Sequence, residues 1–390
     1  MTVHHGHRPL QVTLDASAVP DHPTGAGRYV LELVTRLSRL PEVDLTILCR
    51  RDDGARWHTA SPGGSVIDKA PPARPLRLAW EQVELPRILD HLGIDVHHGP
   101  HYTMPARAEA PKVVTLHDMT FFDHPEWHER AKVLFFRKAI RAAASKADAL
   151  ITPSAAAADR VREVLAPEIP VHLIPHGVDH ARFHPLDADD VEGAADDEAA
   201  RKRLGVRQPY VTFVGTLEPR KDVPNLVRAF DAVAGHLPDL NLVLAGAPGW
   251  GMEAIEAAIG SSTHRSRVRR VGYISEEDKV ALLRGASVVV YPSREEGFGL
   301  PVLEALASGG PLVTTSGTAM AAVVDDAALL FTPTHVDELA AALEDVVQGG
   351  AAVEARRRRG LDLAARYTWD ASAQAHLEVY EAAATTAAAR

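Results

Sequence analysis

The chain has 390 residues with a formal net charge of −10, 46% apolar and 5% aromatic, which predicts two domains with mainly aliphatic cores. The negative balance argues against a general nucleic-acid-binding protein. The single cysteine, Cys49, excludes an intramolecular disulfide and a four-cysteine zinc site, and we expect it to be buried at the end of the apolar run Leu45–Leu48.

Short apolar runs alternate with helix-length amphipathic segments, a pattern typical of parallel α/β sheets. The first half contains six predicted strands and two predicted helices: Leu10–Leu14, Val43–Leu48, Ile94–His97, Val113–Leu116, Ala149–Thr152 and Val171–Ile174, with helices Arg28–Leu40 and Ala131–Lys146. The second half repeats the pattern: strands Val211–Val214, Asn241–Leu244, Arg269–Val271, Ser287–Tyr291, Leu312–Thr314 and Ala328–Phe331, with helices Val223–Ala234, Gly251–Ile259, Glu276–Gly285 and Leu300–Ser308. A last helix is predicted from about Trp369 to Ala384.

An acidic segment separates the two halves. Residues 186–200 carry seven acidic side chains and no basic one. Such runs are usually solvated, so we interpret this segment as a linker. Its Asp187-Ala-Asp189 is the one Asp-x-Asp in the chain, and we assign it to the linker rather than to a metal site.

These patterns predict two Rossmann-like, doubly wound α/β domains that face a cleft. We place the N-terminal domain at residues 1–185, the linker at 186–200 and the C-terminal domain at 201–367. Residues 368–390 are expected to form a helix that returns to the N-terminal domain. No apolar run approaches the ~20 residues of a membrane span, and the His-rich first residues lack the apolar stretch of a signal peptide, so we expect a cytoplasmic protein.

The strongest local motif is Ser293–Glu304, which follows a predicted strand. Gly297 and Gly299 allow close approach of the backbone to a ligand, and a helix N-terminus favours anions. Two carboxylates, Glu296 and Glu304, could accept hydrogen bonds from sugar hydroxyls at separate points. The alternative is a strand–turn–helix whose acidic side chains face solvent.

Three further segments follow predicted strands. Arg220 and Lys221, in the loop that begins at Gly215, would suit a diphosphate, or form an ordinary basic turn. Thr24–Tyr29 is a glycine-containing loop that would face a phosphate or an acceptor, or be a structural turn. His117 stands at a strand end, where a lone histidine is often structural.

Together these segments resemble the retaining GT-B glycosyltransferases of family four, which include bacterial mannosyl- and glucosyltransferases. The resemblance runs from Gly25 to Tyr380. It rests on six segments: Glu296–Glu304 with the Glu-x7-Glu spacing, Gly215–Lys221, His117-Asp118, Thr152–Ser154, Ile174–Asp179 and Ala307–Pro311. One departure is Asp222, where a subgroup often has Asn; we expect it to keep the helix cap and to weaken the diphosphate site slightly.

The resemblance implies a role for each matching position. Glu304 would bind the donor ribose, and Glu296 would lie near the transferred sugar. Arg220 and Lys221 would hold the diphosphate, while Gly25 and Gly27 would cover the phosphates and His117 would contact the sugar. The remaining donor contacts would come from the backbone of Gly215, Tyr273, Ile274, Phe298, Gly299 and Leu300.

The resemblance also implies hexose transfer with retention. The sequence of Gly215–Lys221 favours GDP-mannose as the donor, with a UDP-sugar as the alternative. The acceptor would be a glycan or a glycolipid. Because Arg220 and Lys221 could stabilise the leaving phosphate, we expect no metal cofactor. Contact of Ala131–Lys146 with a membrane is less favoured than packing on the sheet, and the oligomeric state is left open.

Other classes fit the sequence less well. A nucleotide-sugar epimerase or a non-catalytic nucleotide-sugar sensor could share the fold, but the complete motif favours a transferase. A dehydrogenase is disfavoured because Val30 takes the place of the third fingerprint glycine. The histidines His97, His98 and His101 could suggest a metal, but strand-end packing explains them more simply.

Overall fold

A computed structural model describes residues 8–389, and the chain divides into two compact units. The first unit runs to His176 and resumes at Trp369, and the second is Gly177–Thr368. The division therefore precedes the predicted domain end at residue 185. The His-rich start, residues 1–7, lies outside the described residues.

The first unit contains a seven-stranded parallel sheet. Its strands are β1 Leu10–Asp15, β2 Val43–Arg50, β3 Ser65–Ala70, β4 Val96–Gly99, β5 Lys112–Thr115, β6 Ala149–Thr152 and β7 Val171–Leu173. Its helices before residue 176 are α1 Ala26–Leu37, α2 Gly54–Ala60, α3 Arg74–Leu92, α4 Thr120–Asp123, α5 Arg130–Lys146 and α6 Ala155–Leu165. The strand order is β3-β2-β1-β4-β5-β6-β7, and every pairing is parallel.

The second unit contains a six-stranded parallel sheet. Its strands are β8 Tyr210–Val214, β9 Asn241–Ala245, β10 Val268–Gly272, β11 Val288–Tyr291, β12 Leu312–Thr315 and β13 Leu329–Phe331. Its helices are α7 Val191–Arg203, α8 Val223–Ala234, α9 Met252–Ser261, α10 Glu276–Arg284, α11 Leu300–Ala307, α12 Ala319–Val324, α13 Val336–Gln348 and α14 Ala351–Ala364. The order β10-β9-β8-β11-β12-β13 repeats the doubly wound pattern of the first sheet.

All twelve predicted strands are present, displaced by two residues at most. The predicted helix Val223–Ala234 is found at those bounds, because its apolar residues recur on one face that the sheet buries. The expected helix start at Ser275 is confirmed: its side chain accepts a hydrogen bond from the N–H of Asp278 at 3.1 Å. Cys49 is fully buried, as expected.

The prediction that the acidic segment, residues 186–200, is a linker is wrong. Most of the segment forms the helix α7, which packs against α10 within the second unit. Asp190 caps this helix by accepting from the N–H of Gly193 at 2.9 Å. Asp197 is buried and lies 3.3 Å from Arg284, so an ion pair rather than an apolar stripe attaches the helix.

The last helix, α15 Trp369–Ala388, belongs to the first unit, as the fold prediction required. It packs against α1, and the rings of Trp369 and Tyr380 are buried there. Across residues 8–389, every helix is either too short or too polar to span a membrane.

Candidate functional site

The second sheet reverses its strand order between β8 and β11. These strands are neighbours, yet the chain leaves them toward opposite sides of the sheet. Loops that follow such a pair diverge at the carboxyl edge, where doubly wound sheets bind ligands. Residues 215–222 follow β8 and residues 292–299 follow β11, so the two strongest sequence motifs meet at this switch point.

The loop after β8 is tightly packed. Gly215 donates its N–H to the carbonyl of Ala245 at 2.9 Å, and a short 3-10 helix, Pro219–Lys221, follows. Behind the loop lies Gly246, where an added Cβ would stand 2.0 Å from the carbonyl oxygen of Gly215. The loop is thus held by backbone contacts that leave no room for a side chain.

The prediction that Asp222 keeps the helix cap is also wrong. Asp222 precedes α8 in the left-handed region, with φ of 50°, and its side chain does not cap the helix. Its carboxylate instead accepts from Arg294 at 2.9 Å and from the side-chain amide of Asn225 at 2.7 Å. The Asp222 carboxylate is therefore paired with a cation of the loop after β11.

Arg220, Lys221 and Glu296 form one ion-paired cluster. The Arg220 guanidinium lies 2.7 Å from Oε2 of Glu296, and the Lys221 ammonium bonds Oε1 of the same carboxylate. The carboxylate and the Lys221 ammonium are nearly buried. Burial alone would raise the pKa of Glu296, but the two cations outweigh it and hold that pKa at about 2.

This cluster joins the loops that follow β8 and β11. Arg220 also donates to the carbonyl of Glu295 at 3.1 Å, and the N–H of Arg294 donates to the carbonyl of Arg220 at 2.8 Å. Two cations are therefore fixed at the carboxyl edge by the shared carboxylate of Glu296, and Arg220 is also paired with Glu218 at 2.9 Å. An arriving diphosphate would meet charges that are already positioned.

The loop after β11 ends at α11. Gly299 precedes this helix with φ of 104°, and a Cβ there would come within 2.6 Å of Cγ of Met320. Phe298 and Leu300 are buried beside it, and Pro301 lies in the first turn. Glu304 is one turn inside the helix and buried, where it pairs with Lys279 rather than with Arg220 or Lys221.

Two buried hydroxyls that sequence reasoning missed lie at the end of β11 and just after it. Within residues 8–389, neither Oη of Tyr291 nor Oγ of Ser293 has a hydrogen-bond partner. Burial, followed by the nearby charges of Glu304 and Glu296, raises the pKa of Tyr291 well above its ordinary value, so the phenol stays protonated. Unsatisfied buried hydroxyls are costly, and a bound ligand could satisfy them. Their position at the end of β11 was the available signal.

The segment after β10 lies at the same edge. Gly272 has φ of 75°, with open space where a Cβ would be. Ile274 is buried, whereas Tyr273 is 54% exposed. The predicted base-binding segment thus follows β10, on the side of β8 away from β11.

The predicted residues of the first unit lie at the start of α1 and just after β5. Gly25 precedes α1 with φ of 48°, and Gly27 lies in the first turn, where a Cβ would come 3.2 Å from Cβ of Pro23. His117 is buried after β5, with its ring centroid 5.2 Å from that of Tyr29.

The tautomer of His117 follows from its partner. Nε2 lies 2.8 Å from the carbonyl oxygen of Pro100, which can only accept, so Nε2 carries the proton. Burial lowers the pKa of His117, so the ring is neutral and Nδ1 has a lone pair. His117 can therefore accept a hydrogen bond from a hydroxyl.

The neighbouring histidines build a buried chain of hydrogen bonds. His376 Nδ1 donates to the Ser372 carbonyl at 2.7 Å, so its Nε2 must accept from the Tyr29 hydroxyl at 2.8 Å. The Tyr29 oxygen then accepts from Thr115 at 2.9 Å, and Thr115 accepts from Nε2 of His98 at 2.8 Å. This order requires both imidazoles to be neutral.

Of the three clustered histidines, His98 uses both ring nitrogens in hydrogen bonds, whereas Nε2 of His97 and Nε2 of His101 have no partner within residues 8–389. His98 Nδ1 accepts from the Tyr380 hydroxyl at 2.7 Å, and His97 pairs with Thr13 at 3.0 Å. Among the described residues, no group of three or more histidine, cysteine or acidic side chains is arranged to hold a metal ion.

Two family models match the chain. Residues 23–182 match Glycosyltransferase Family 4, and residues 196–361 match Glycosyl transferases group 1. The chain is a glycosyltransferase.

This glycosyltransferase is similar along its length to a curated relative. It is 28% identical over 376 residues to O-antigen chain mannosyltransferase B from Escherichia coli, covering 89% of this chain and 93% of the relative. Further relatives that are 30–34% identical are covered over 36–64% of their own length.

Solved structures share its fold. Sucrose-phosphate synthase from Thermosynechococcus elongatus superposes with a TM-score of 0.76 at 22% identity, covering 95% of this chain and 98% of the other. Anabaena HepE in complex with UDP-glucose gives a TM-score of 0.76 at 18% identity, covering 96% and 100%. The glycosyltransferase therefore has the two-domain GT-B fold.

Proposed function

We propose that this glycosyltransferase transfers mannose from GDP-mannose to a glycan or glycoconjugate acceptor, with retention of the anomeric configuration. The observation that carries the proposal is the fixed cluster of Arg220, Lys221 and Glu296 at the switch point of the second sheet. It offers two cations to a diphosphate and a carboxylate to a sugar, as nucleotide-sugar transfer requires.

The donor would lie along the carboxyl edge of the second sheet. Its diphosphate would contact Arg220 and Lys221, and its transferred sugar would contact Glu296. The backbone of residues 298–300, at the start of α11, would surround the sugar and phosphate. Glu304 would accept from the ribose, and the backbone of residues 272–274 would meet the base.

The chemical step breaks the bond between the anomeric carbon and the diphosphate oxygen, and its electron pair passes to the diphosphate. An acceptor hydroxyl attacks from the same face, and its proton moves to the released phosphate oxygen. Arg220 and Lys221 stabilise the charge that develops on this leaving group. Because these side chains supply the positive charge, we propose that transfer needs no divalent metal.

The first unit would contribute on the sugar side. Neutral His117 would accept from a sugar hydroxyl through Nδ1. The N-terminus of α1, with Gly25 and Gly27, would cover the phosphates through backbone N–H groups.

The choice of donor rests on the Gly215–Lys221 segment and on the similarity to a mannosyltransferase over 89% of this chain. The test is the melting temperature with GDP, UDP and ADP, each with EDTA or magnesium. A ligand at about 100 times its Kd adds roughly 2.7 kcal/mol of stability. A rise with GDP that EDTA leaves unchanged supports the proposal, whereas a rise with UDP alone assigns a UDP-sugar donor. No rise with any nucleotide would contradict a donor site in this unit.

A further inference from the structure

A lysine outside the sequence motifs holds one of the proposed donor-binding carboxylates. Lys279 lies on α10, and its Nζ is 3.1 Å from Oε1 and 3.0 Å from Oε2 of Glu304. The same ammonium is 3.0 Å from Oε2 of Glu276, one turn earlier on α10. The Lys279 and Glu304 side chains are 13% and 8% exposed, so the pair is largely shielded from water.

The surroundings restrain this ammonium further. Nζ lies 4.9 Å from the ring centroid of Phe183, and Glu276 is paired with Arg182 at 3.4 Å. All these residues belong to the second unit, so the arrangement is internal to it. Because these contacts restrain the Lys279 ammonium, it holds the Glu304 carboxylate in one orientation.

The N–H groups of Lys279 are all used within the protein. An ammonium has three N–H groups, and three carboxylate oxygens lie within 3.1 Å of Nζ. The partners of Lys279 are therefore complete without a ligand. Its influence on a ligand has to pass through Glu304.

The carboxylate of Glu304 keeps acceptor positions that Lys279 does not use. A carboxylate has about four acceptor positions, and Lys279 uses one on each oxygen. One position remains on each oxygen, on the side away from Nζ. Each oxygen of Glu304 can therefore accept from one further hydroxyl.

We propose that Lys279 is a positioning residue that orients Glu304 to accept from both ribose hydroxyls of the donor, and so selects ribonucleotides. The proposal rests on the proposed function, because it takes the Glu304 region to be the nucleotide site. It adds a residue of α10 to that site and gives the site a selectivity.

The test compares ribonucleotides with 2′,3′-dideoxynucleotides. Binding of GDP, UDP and their dideoxy counterparts is measured by calorimetry on the wild type and on Lys279→Met, Lys279→Gln and Lys279→Arg. The wild type should prefer the ribonucleotide on the order of 10²–10⁴-fold, as expected for two hydrogen bonds to a charged group. Lys279→Met and Lys279→Gln should reduce this preference about tenfold or more by weakening the ribonucleotide alone, and Lys279→Arg should restore much of it.

Two controls separate positioning from folding. Lys202→Met removes an exposed lysine of α7 in the same unit and should leave all affinities at the wild-type level. If Lys279→Met does not fold, the polar Lys279→Gln carries the comparison. Equal weakening of ribo- and dideoxynucleotides, or an unchanged preference, would overturn the role of Lys279. A wild type that binds no nucleotide, or that shows no ribose preference, would instead overturn the proposed donor site.

Discussion

Arg220 and Glu296 face each other across the switch point of the second sheet, with 2.7 Å between the guanidinium and Oε2 of the carboxylate. Arg220 follows β8 and Glu296 follows β11, so the ion pair ties together loops that diverge from neighbouring strands. The positions of the charges that would contact a donor diphosphate are thereby determined by the two loops that this ion pair connects. Such preorganised charge costs little to reorganise during a reaction.

Arg220→Ala should lower kcat on the order of 10²–10³-fold, because it removes a fixed charge that stabilises the leaving diphosphate. The measurement is steady-state product formation with a saturating donor. Arg228→Ala is the matched control, since Arg228 is exposed on the neighbouring helix α8 and bonds only Asn225 in this region. Equal losses in both variants would contradict a specific role for Arg220.

Glu296 should not form a covalent bond to the sugar. Its carboxylate is occupied by Arg220 and Lys221, and a front-face route needs no nucleophile. Intact-mass analysis of the wild type, quenched during turnover, should therefore show the unmodified protein. An adduct of one hexose on the wild type that is absent from Glu296→Gln would establish a nucleophile instead.

The stability of the first unit should fall below about pH 6.5. Burial lowers the pKa of His97 and His101 to about 3 and that of His376 to about 4, while the unfolded chain titrates near 6.5. On acidification the unfolded state therefore gains protons first, and the free energy of unfolding drops by up to ~1.4 kcal/mol per pH unit for each such histidine. The melting temperature measured from pH 7.5 to 5 reports this slope.

The control for that slope compares two histidines. His376→Gln should flatten the dependence on pH, because it removes one group that is held neutral between Tyr29 and Ser372. His58→Gln, at an exposed position, should retain the wild-type slope. A melting temperature that stays constant between pH 7 and 5 would contradict the neutral hydrogen-bond chain.

Gly246→Ala should weaken nucleotide binding and lower the melting temperature. The added Cβ would stand 2.0 Å from the carbonyl oxygen of Gly215, and φ of 142° already disfavours a side chain, so the loop after β8 has to move. Gly235→Ala is the matched control because φ there is −64° and nothing lies within 4 Å of its Cβ. Nucleotide affinity that remains at the wild-type level in Gly246→Ala would separate this loop from the donor site.

The sequence was sufficient to predict elements whose apolar spacing is strong. Val223–Ala234 was predicted to the residue, and each predicted strand was found close to its expected bounds. The strand Ser65–Ala70 was missed because it is an edge strand that is exposed at three of its six positions and includes Asp68 and Lys69. Helix α7 was misinterpreted as a linker because the segment is strongly acidic and lacks an apolar stripe. The helix is stabilised instead by the ion pair of Asp197 and by its N-cap, Asp190.

The site was predictable where its residues lie in local motifs. Arg220, Lys221 and Glu296 each follow a strand, and strand order brings them together. Lys279 was missed because its partner Glu304 is on another helix, and no local spacing connects them. Asp222 was misinterpreted as a cap because its positive φ turns the side chain toward Arg294, which the sequence alone does not reveal.

Hydrogen exchange with and without nucleotide can locate the donor site that we place at the switch point of the second sheet. The protein is saturated with GDP and, separately, with UDP, and amide protection is compared peptide by peptide with the free protein. We expect one of the two nucleotides to increase protection in residues 215–222 and 293–304. Binding that leaves both segments unchanged and protects other parts of the second unit would contradict this placement.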